Sequence, residues 1–196
     1  MKILDDDIEL MLSFQKGEKS CFEKILEKYE KPLINFIFRT IGDRWAAEDL
    51  TQEVFLRIYR SAATYKPLAK FSTWLYKIAF DLCIDHQRKG KVKTISLNDP
   101  INTEEGQIIR EIPDLSQITP DTSIEKRQIS ETVQAAVLSL PANQRLALTL
   151  RIYENKSYQE ISKILGCSIS AVESLLFRAR QNLKQKLSFL IGSFSD

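Results

Sequence analysis

The sequence predicts an all-α protein made of two small helical domains, and three observations carry that expectation. Apolar residues recur three and four apart from Ile3 to about Lys89 and again from about Thr122 onward, which is the spacing of amphipathic helices. No stretch shows the strong alternation of a half-buried strand. Between the two periodic regions, from Val92 to Thr119, the pattern stops and Asn, Asp, Ser, Thr and Gly take over, with Pro100 and Pro113 inside and Pro120 at the end. Five acidic against two basic side chains in that stretch suit an extended, well-solvated linker. The expected boundaries are therefore 1–91 for the first domain, 92–120 for a flexible linker and 121–196 for the second domain.

In the first domain the periodicity predicts helices over Asp7–Gln15, Lys19–Thr40, Arg44–Ala62 and Ser72–Lys89. Pro32 should bend or split the second, because a proline lacks the N–H that an inner turn needs. Asp43 and Ser72 have side chains suited to cap the third and fourth. In the second domain a helix is expected from Thr122 to Ser139, and Pro141 suits the first turn of the next.

Ser157-Tyr158-Gln159-Glu160 is a capping box: the serine oxygen accepts an N3 amide and the glutamate reaches back to the cap. A short helix should start at Tyr158 and end at Leu165, where Gly166 can take the left-handed conformation that turns the chain. Ser168 then caps a helix from Ile169 to about Leu187. Ile161, Leu165, Cys167, Val172 and Leu175, with small Ser162 and Gly166 at the turn, have the spacing of a helix-turn-helix. Such a pair leaves the outer face of its second helix free to enter a major groove.

The bulk numbers exclude several classes. With 43% hydrophobic and 28% charged residues in 196, the chain matches soluble folded proteins. Its longest apolar runs, such as Leu33 to Phe38, fall far short of a bilayer span, so no membrane insertion is expected. An acidic N-terminus argues against a secretory signal and for a cytoplasmic location. Cys21, Cys83 and Cys167 are unpaired in pattern and only His86 could join them, so no metal or other cofactor is expected, and the thiols read as small buried apolar groups. A nuclease would have to rely on Asp81, Asp85 and His86. Without a glycine-rich phosphate loop or a nucleophile–base pair, neither an enzyme nor a small-molecule substrate is expected. The net charge of +2 is too small to announce a nucleic-acid partner, but residues 130–196 carry 8 basic against 5 acidic side chains, Arg151, Arg178 and Arg180 among them.

Two constellations in the first domain suggest binding. Asp49, Gln52, Glu53 and Leu56 stand at i, i+3, i+4 and i+7 on one helix face, suited to a protein partner with a basic helical surface. The segment Tyr65 to Lys77 interleaves aromatics with lysines, and Asp81, Asp85, Arg88 and Lys89 follow. Rings that stack on bases and cations that follow phosphates are what single-stranded DNA requires, each stacked base contributing about 1–3 kcal/mol. Trp74 and Phe80 are expected to lie in the core.

The run Ala47-Glu48-Asp49-Leu50-Thr51-Gln52-Glu53-Val54-Phe55, then Phe71-Ser72-Thr73-Trp74-Leu75-Tyr76-Lys77-Ile78-Ala79, then Leu140-Pro141, then the S-Y-Q-E-I motif ending in Phe177-Arg178-Ala179-Arg180, resembles the extracytoplasmic-function sigma factors of bacterial RNA polymerase, in order and over nearly the whole chain. The resemblance implies sigma region two in the first domain and region four in the second. It implies docking of Asp49, Gln52, Glu53 and Leu56 on the clamp helices of the polymerase beta-prime subunit, with further contacts to the beta subunit. It implies that Lys70, Phe71, Tyr76, Lys77, Asp81 and Arg88 melt and read the minus-ten promoter element, and that Arg151, Tyr158, Ser170, Ser174, Phe177 and Arg178 serve the minus-thirty-five element. An anti-sigma factor is a further partner that the family admits. A stand-alone helix-turn-helix regulator would explain residues 140–187 and leave the first-domain constellations without a purpose.

The chain departs from the family pattern at three places. Asp81 stands where asparagine is usual at a position that recognises an extruded base. A carboxylate accepts hydrogen bonds only, so Asp81 would favour cytosine or adenine by about 1–3 kcal/mol, unless it turns away to pair with Lys77 one helical turn earlier and reads nothing. Glu173 and Leu175 replace residues that are often basic, and Ser170-Ala171 replaces a common Gly-Thr.

Overall fold

The structure, a computed structural model, describes residues 5–93 and 120–188, so the expected linker lies outside the described residues except at its ends. All regular structure among the described residues is helical: α1 (Asp6–Gln15), α2 (Lys19–Ile41), α3 (Arg44–Ser61), a 3-10 turn (Ala62–Thr64), α4 (Phe71–Lys93), α5 (Pro120–Leu138), α6 (Ala142–Ile152), α7 (Tyr158–Leu165) and α8 (Ile169–Lys186).

Local chemistry sets most of the helix ends. The Asp43 side chain accepts from the Ala46 N–H at 3.1 Å and starts α3. Both halves of the Ser157–Glu160 capping box are formed, and Ser168 accepts from the Ala171 N–H at 3.2 Å to start α8. Gly166 closes α7 at φ 67° and ψ 36°, the left-handed region that an L side chain rarely adopts. Gly42 closes α2 at φ 82°, and a Cβ there would stand 3.1 Å from the side chain of Leu138 at the end of α5.

Three expectations about elements are corrected. Pro32 does not split α2, which runs unbroken from Lys19 to Ile41: Tyr29, Leu33, Phe36 and Ile37 around it are buried, and that packing outweighs one missing backbone hydrogen bond. Ser72 is not a cap, because α4 begins one residue earlier; its hydroxyl instead accepts from the Lys156 ammonium. Pro141 is the N-cap of α6 rather than its first helical residue.

Helices α1–α4 pack around Ile25, Leu33, Phe36, Ile37, Val54, Ile58, Phe71 and Leu75. Helix α1 is held to α2 by Asp7, which accepts from the Tyr29 hydroxyl at 2.6 Å and pairs with Lys28 at 2.5 Å. At its other end the Gln15 amide donates to the carbonyls of Ala62 (2.8 Å) and Ala63 (3.0 Å), bracing the turn that leads into α4. Helices α7 and α8 form the helix-turn-helix around Ile161, Ile164, Val172 and Leu176, with α6 behind them.

The two halves do not stand apart. Leu146, Ala147 and Leu150 of α6 and Ile161 and Ile164 of α7 share one continuous core with α2 and α4. The apolar face of α4, from Phe71 through Leu75 and Ala79 to Leu82 and Cys83, is wide enough to be covered on one side by its own domain and on the other by the second.

Candidate protein-docking and nucleic-acid interfaces

The α3 face expected to dock a protein is open. Asp49, Gln52 and Leu56 are exposed, and Glu53 is partly so. Glu53 pairs with Arg57 at 2.9 Å, and that guanidinium holds its carboxyl below the usual carboxylate range, against a slight opposing effect of burial. Beside this face lies a groove of about 780 Å³ between α2 and α3. Phe22, Leu26, Phe55, Leu56 and Tyr59 form its apolar floor, and Glu27, Glu30 and Glu48 give it an acidic rim. Sequence reasoning found Gln52 and Leu56 of this groove and missed its α2 half. It also missed Trp45, 81% exposed, and Tyr59. The signal was present: Trp45, Asp49, Gln52, Leu56 and Tyr59 alternate steps of four and three along one helical stripe.

The segment expected to bind single-stranded DNA is sorted differently. Phe71 is fully buried against Tyr29, Tyr65 and Trp74, and Tyr76 is 2% exposed with its ring edge on Phe36. Neither offers a face to a base in this conformation. Trp74 and Phe80, expected in the core, are only partly buried. Trp74 lines a second cavity, about 500 Å³, together with Tyr65, Leu68, Thr73, Lys66 and Lys77 from α4 and the loop before it, and Lys163 from α7. The Tyr65 hydroxyl is buried there without a hydrogen-bond partner among the described residues, and burial pushes it up to about 12. Aromatic walls and a lysine rim give this cavity the chemistry of a base-and-phosphate site.

Asp81 does not line that cavity. Its carboxylate accepts from the Lys77 ammonium one helical turn earlier at 2.6 Å, the pairing that stands as the alternative to its reading a base. Lys70 is exposed and pairs with Glu160 of α7 at 2.9 Å, and Arg88 is exposed and pairs with Asp85 at 3.0 Å.

On the helix-turn-helix, Ser170, Ser174, Phe177 and Arg178 share the exposed side of α8, Phe177 at 62%. Arg178 makes no ion pair among the described residues and is free to meet a phosphate. Arg151 is exposed, but it donates to the Lys156 carbonyl at 3.1 Å and lies 5.5 Å from the Tyr158 ring, so it also closes the turn into α7. Cys21 and Cys83 are buried as expected; Cys167, at the turn, is only half-buried.

A helical body carrying an acid-rimmed groove, an aromatic and cationic cavity and a helix-turn-helix has the features of the transcription-protein class. Residues 25–92 match the family model for Sigma-70 region 2, and residues 130–183 match that for Sigma-70, region 4. The chain is 30% identical to the ECF RNA polymerase sigma factor SigW of Bacillus subtilis over 88% of its length and 92% of the relative. It is 29% identical to RNA polymerase sigma-H factor of Pseudomonas aeruginosa over 95% and 96%. Its fold is shared with CnrH, solved in complex with the cytosolic domain of CnrY (TM-score 0.66, 19% identity, 94% and 98% covered), and with the sigma factor RpoE of Bartonella quintana, solved with the anti-sigma factor NepR (TM-score 0.66, 23% identity, 85% and 96% covered). The chain belongs to the extracytoplasmic-function sigma factors of the sigma-70 family, and its helix-turn-helix is part of a sigma factor rather than of a stand-alone regulator.

Proposed function

We propose that residues 1–91 act as the polymerase-docking and minus-ten unit, that 121–196 act as the minus-thirty-five unit, and that the α3 face with its acidic groove receives the clamp helices of core RNA polymerase. The observation that carries this reading is the open stripe from Trp45 to Tyr59 beside Glu27, Glu30 and Glu48, complementary to a basic helical surface. The Trp74–Tyr65 cavity is the place for an extruded minus-ten base, and the exposed side of α8 meets the minus-thirty-five duplex. The protein works in the cytoplasm by binding alone, with no reaction of its own. Among the described residues no helix is long and apolar enough to cross a membrane. That RpoE of Bartonella quintana was solved bound to the anti-sigma factor NepR supports an anti-sigma protein as a further partner.

Run-off transcription with core polymerase on a library of promoters tests the reading; specific initiation that requires the protein is expected, and its absence with an active core would overturn it. Two substitutions refine it. Arg178→Ala should weaken transcription to a similar degree across promoter sequences and lower the salt slope of promoter binding by about one. A mutant as active as wild type at every salt concentration removes Arg178 from the interface. Asp81→Asn should leave the base preference at each minus-ten position unchanged, because Asp81 is tied to Lys77 and stands off the cavity. Transcription from templates carrying each base would reveal a reader if the preference moved.

A further inference from the structure

The loop between α3 and α4 forms much of the wall of the Trp74–Tyr65 cavity, through Thr64, Tyr65, Lys66, Leu68 and Ala69. Its own backbone supplies few restraints. The Tyr65 N–H donates to the Ala62 carbonyl at 3.2 Å and the Leu68 N–H to the Lys66 carbonyl at 2.8 Å, both ties between near neighbours. Such short turns shape the loop without fixing where it stands.

The long-range tie comes from α1. Gln15, the last residue of that helix, directs its amide nitrogen at three loop carbonyls, Ala62 at 2.8 Å, Ala63 at 3.0 Å and Tyr65 at 3.3 Å. All three partners only accept, so the amide must present its N–H bonds to them. Among the described residues, no other side chain from outside the loop hydrogen-bonds its backbone. Helix α1 is a firm anchor for this pull: Asp7 holds it to Tyr29 at 2.6 Å, and Phe14 stacks on Phe22 at 4.7 Å. Gln15 itself is exposed, so its amide does not fill a core.

The bond to the Tyr65 carbonyl acts on the cavity wall. With its N–H on Ala62 and its carbonyl on Gln15, the Tyr65 backbone is tied on both sides. Its ring then stands 5.0 Å from the Trp74 ring and 6.3 Å from that of Phe71. We propose that Gln15 is a positioning residue for base recognition: without touching DNA, it holds the Ala62–Tyr65 turn, fixes the Tyr65 wall and so sets which base the cavity accepts. This role rests on the reading of the cavity as the place for an extruded minus-ten base. A fixed wall rejects a base of the wrong outline by clash, and a wall that yields loses that discrimination. A wall already in place also leaves less to be ordered when the base arrives.

Three substitutions separate the donor from the bulk of the side chain, and all keep helix propensity close to that of glutamine. Gln15→Met keeps the length and removes the donor, Gln15→Glu sets a carboxylate against three carbonyls, and Gln15→Lys supplies donors again. Hydrogen exchange on the full-length protein should show the loop amides exchanging about tenfold faster in Gln15→Met and Gln15→Glu, the loss of roughly one net hydrogen bond, and near the wild-type rate in Gln15→Lys. Transcription with core polymerase from templates carrying each base at each minus-ten position gives the second readout. The preference at the extruded position should narrow by about tenfold in the first two proteins and be kept in the third. Affinity for core polymerase should stay at the wild-type value in all three, because the α3 groove is untouched. Unchanged exchange in Gln15→Met, or a loosened loop with every base preference intact, would overturn the role of Gln15 alone. So would a loss shared equally by all templates and all three proteins, which is what a merely structural residue gives. A wild-type protein with no base preference at any minus-ten position would strike the cavity reading itself, and the role of Gln15 with it.

Discussion

Reversing charge on the α3 stripe, Asp49→Arg together with Glu53→Arg, is expected to lower affinity for core polymerase by about a hundredfold or more. The stripe carries carboxylates beside an acidic groove rim, and on the proposed docking two cations there would face a basic clamp surface. The helix itself should survive: both positions are at least partly exposed and neither caps α3, whose N-terminus is held by Asp43. Of the two, Asp49 should matter more, because Glu53 is already paired with Arg57. Gel-shift or fluorescence titration with core enzyme, alongside circular dichroism, measures this. Unchanged affinity in a fully helical protein would show that the stripe only faces water.

Phe71→Ala should destabilise the fold by about 3–5 kcal/mol, the usual cost of emptying a buried aromatic site. Its ring is fully buried among Tyr29, Tyr65 and Trp74, under the start of α4. Against a typical total of about 5–15 kcal/mol this is a large fraction, and promoter activity and polymerase binding should fall together as the protein unfolds. Trp74→Ala should behave otherwise: a smaller stability loss, retained polymerase binding and a selective loss of promoter melting, because Trp74 faces the cavity. Denaturant midpoints paired with transcription assays distinguish the two. A stable Phe71→Ala protein that fails only in melting would mean the Phe71 ring swings out to meet DNA.

What was legible in the sequence was mostly local. Asp43, Ser157, Glu160, Gly166 and Ser168 act on backbone groups a few residues away, so spacing alone places them. The aromatics of α4 were sorted only in part, because composition was given more weight than period: Trp74 and Phe80 pack against the core but less deeply than Phe71 and Tyr76. Phe71, Leu75, Ala79, Leu82 and Cys83 follow the helical repeat and are buried, with Tyr76 beside them, whereas Trp74 and Phe80 fall off that line. For Asp81 the sequence offered both a base contact and a pairing with Lys77 at i−4 on the same helix, and the pairing is the one formed here. The closure of one half on the other was not legible. Glu154 and Lys156 look like ordinary loop charges until the fold brings them to Tyr76 and Ser72, 78 and 84 residues away in the chain.

The covering of α4 by α7 also bears on how such a protein is shared out inside a cell. A genome offers about 10⁶–10⁹ non-specific sites to any exposed cationic and aromatic surface, and weak binding to so many can sequester a scarce protein. With Lys70 paired to Glu160 and with Phe71 and Tyr76 buried, the start of α4 offers chromosomal DNA less than it would with α7 drawn away. Its acidic α3 groove meanwhile repels the polyanion. On the proposed polymerase-docking reading, the drain of free factor to the bulk of the DNA is reduced by that covering, and its supply follows more closely its synthesis and the number of polymerases.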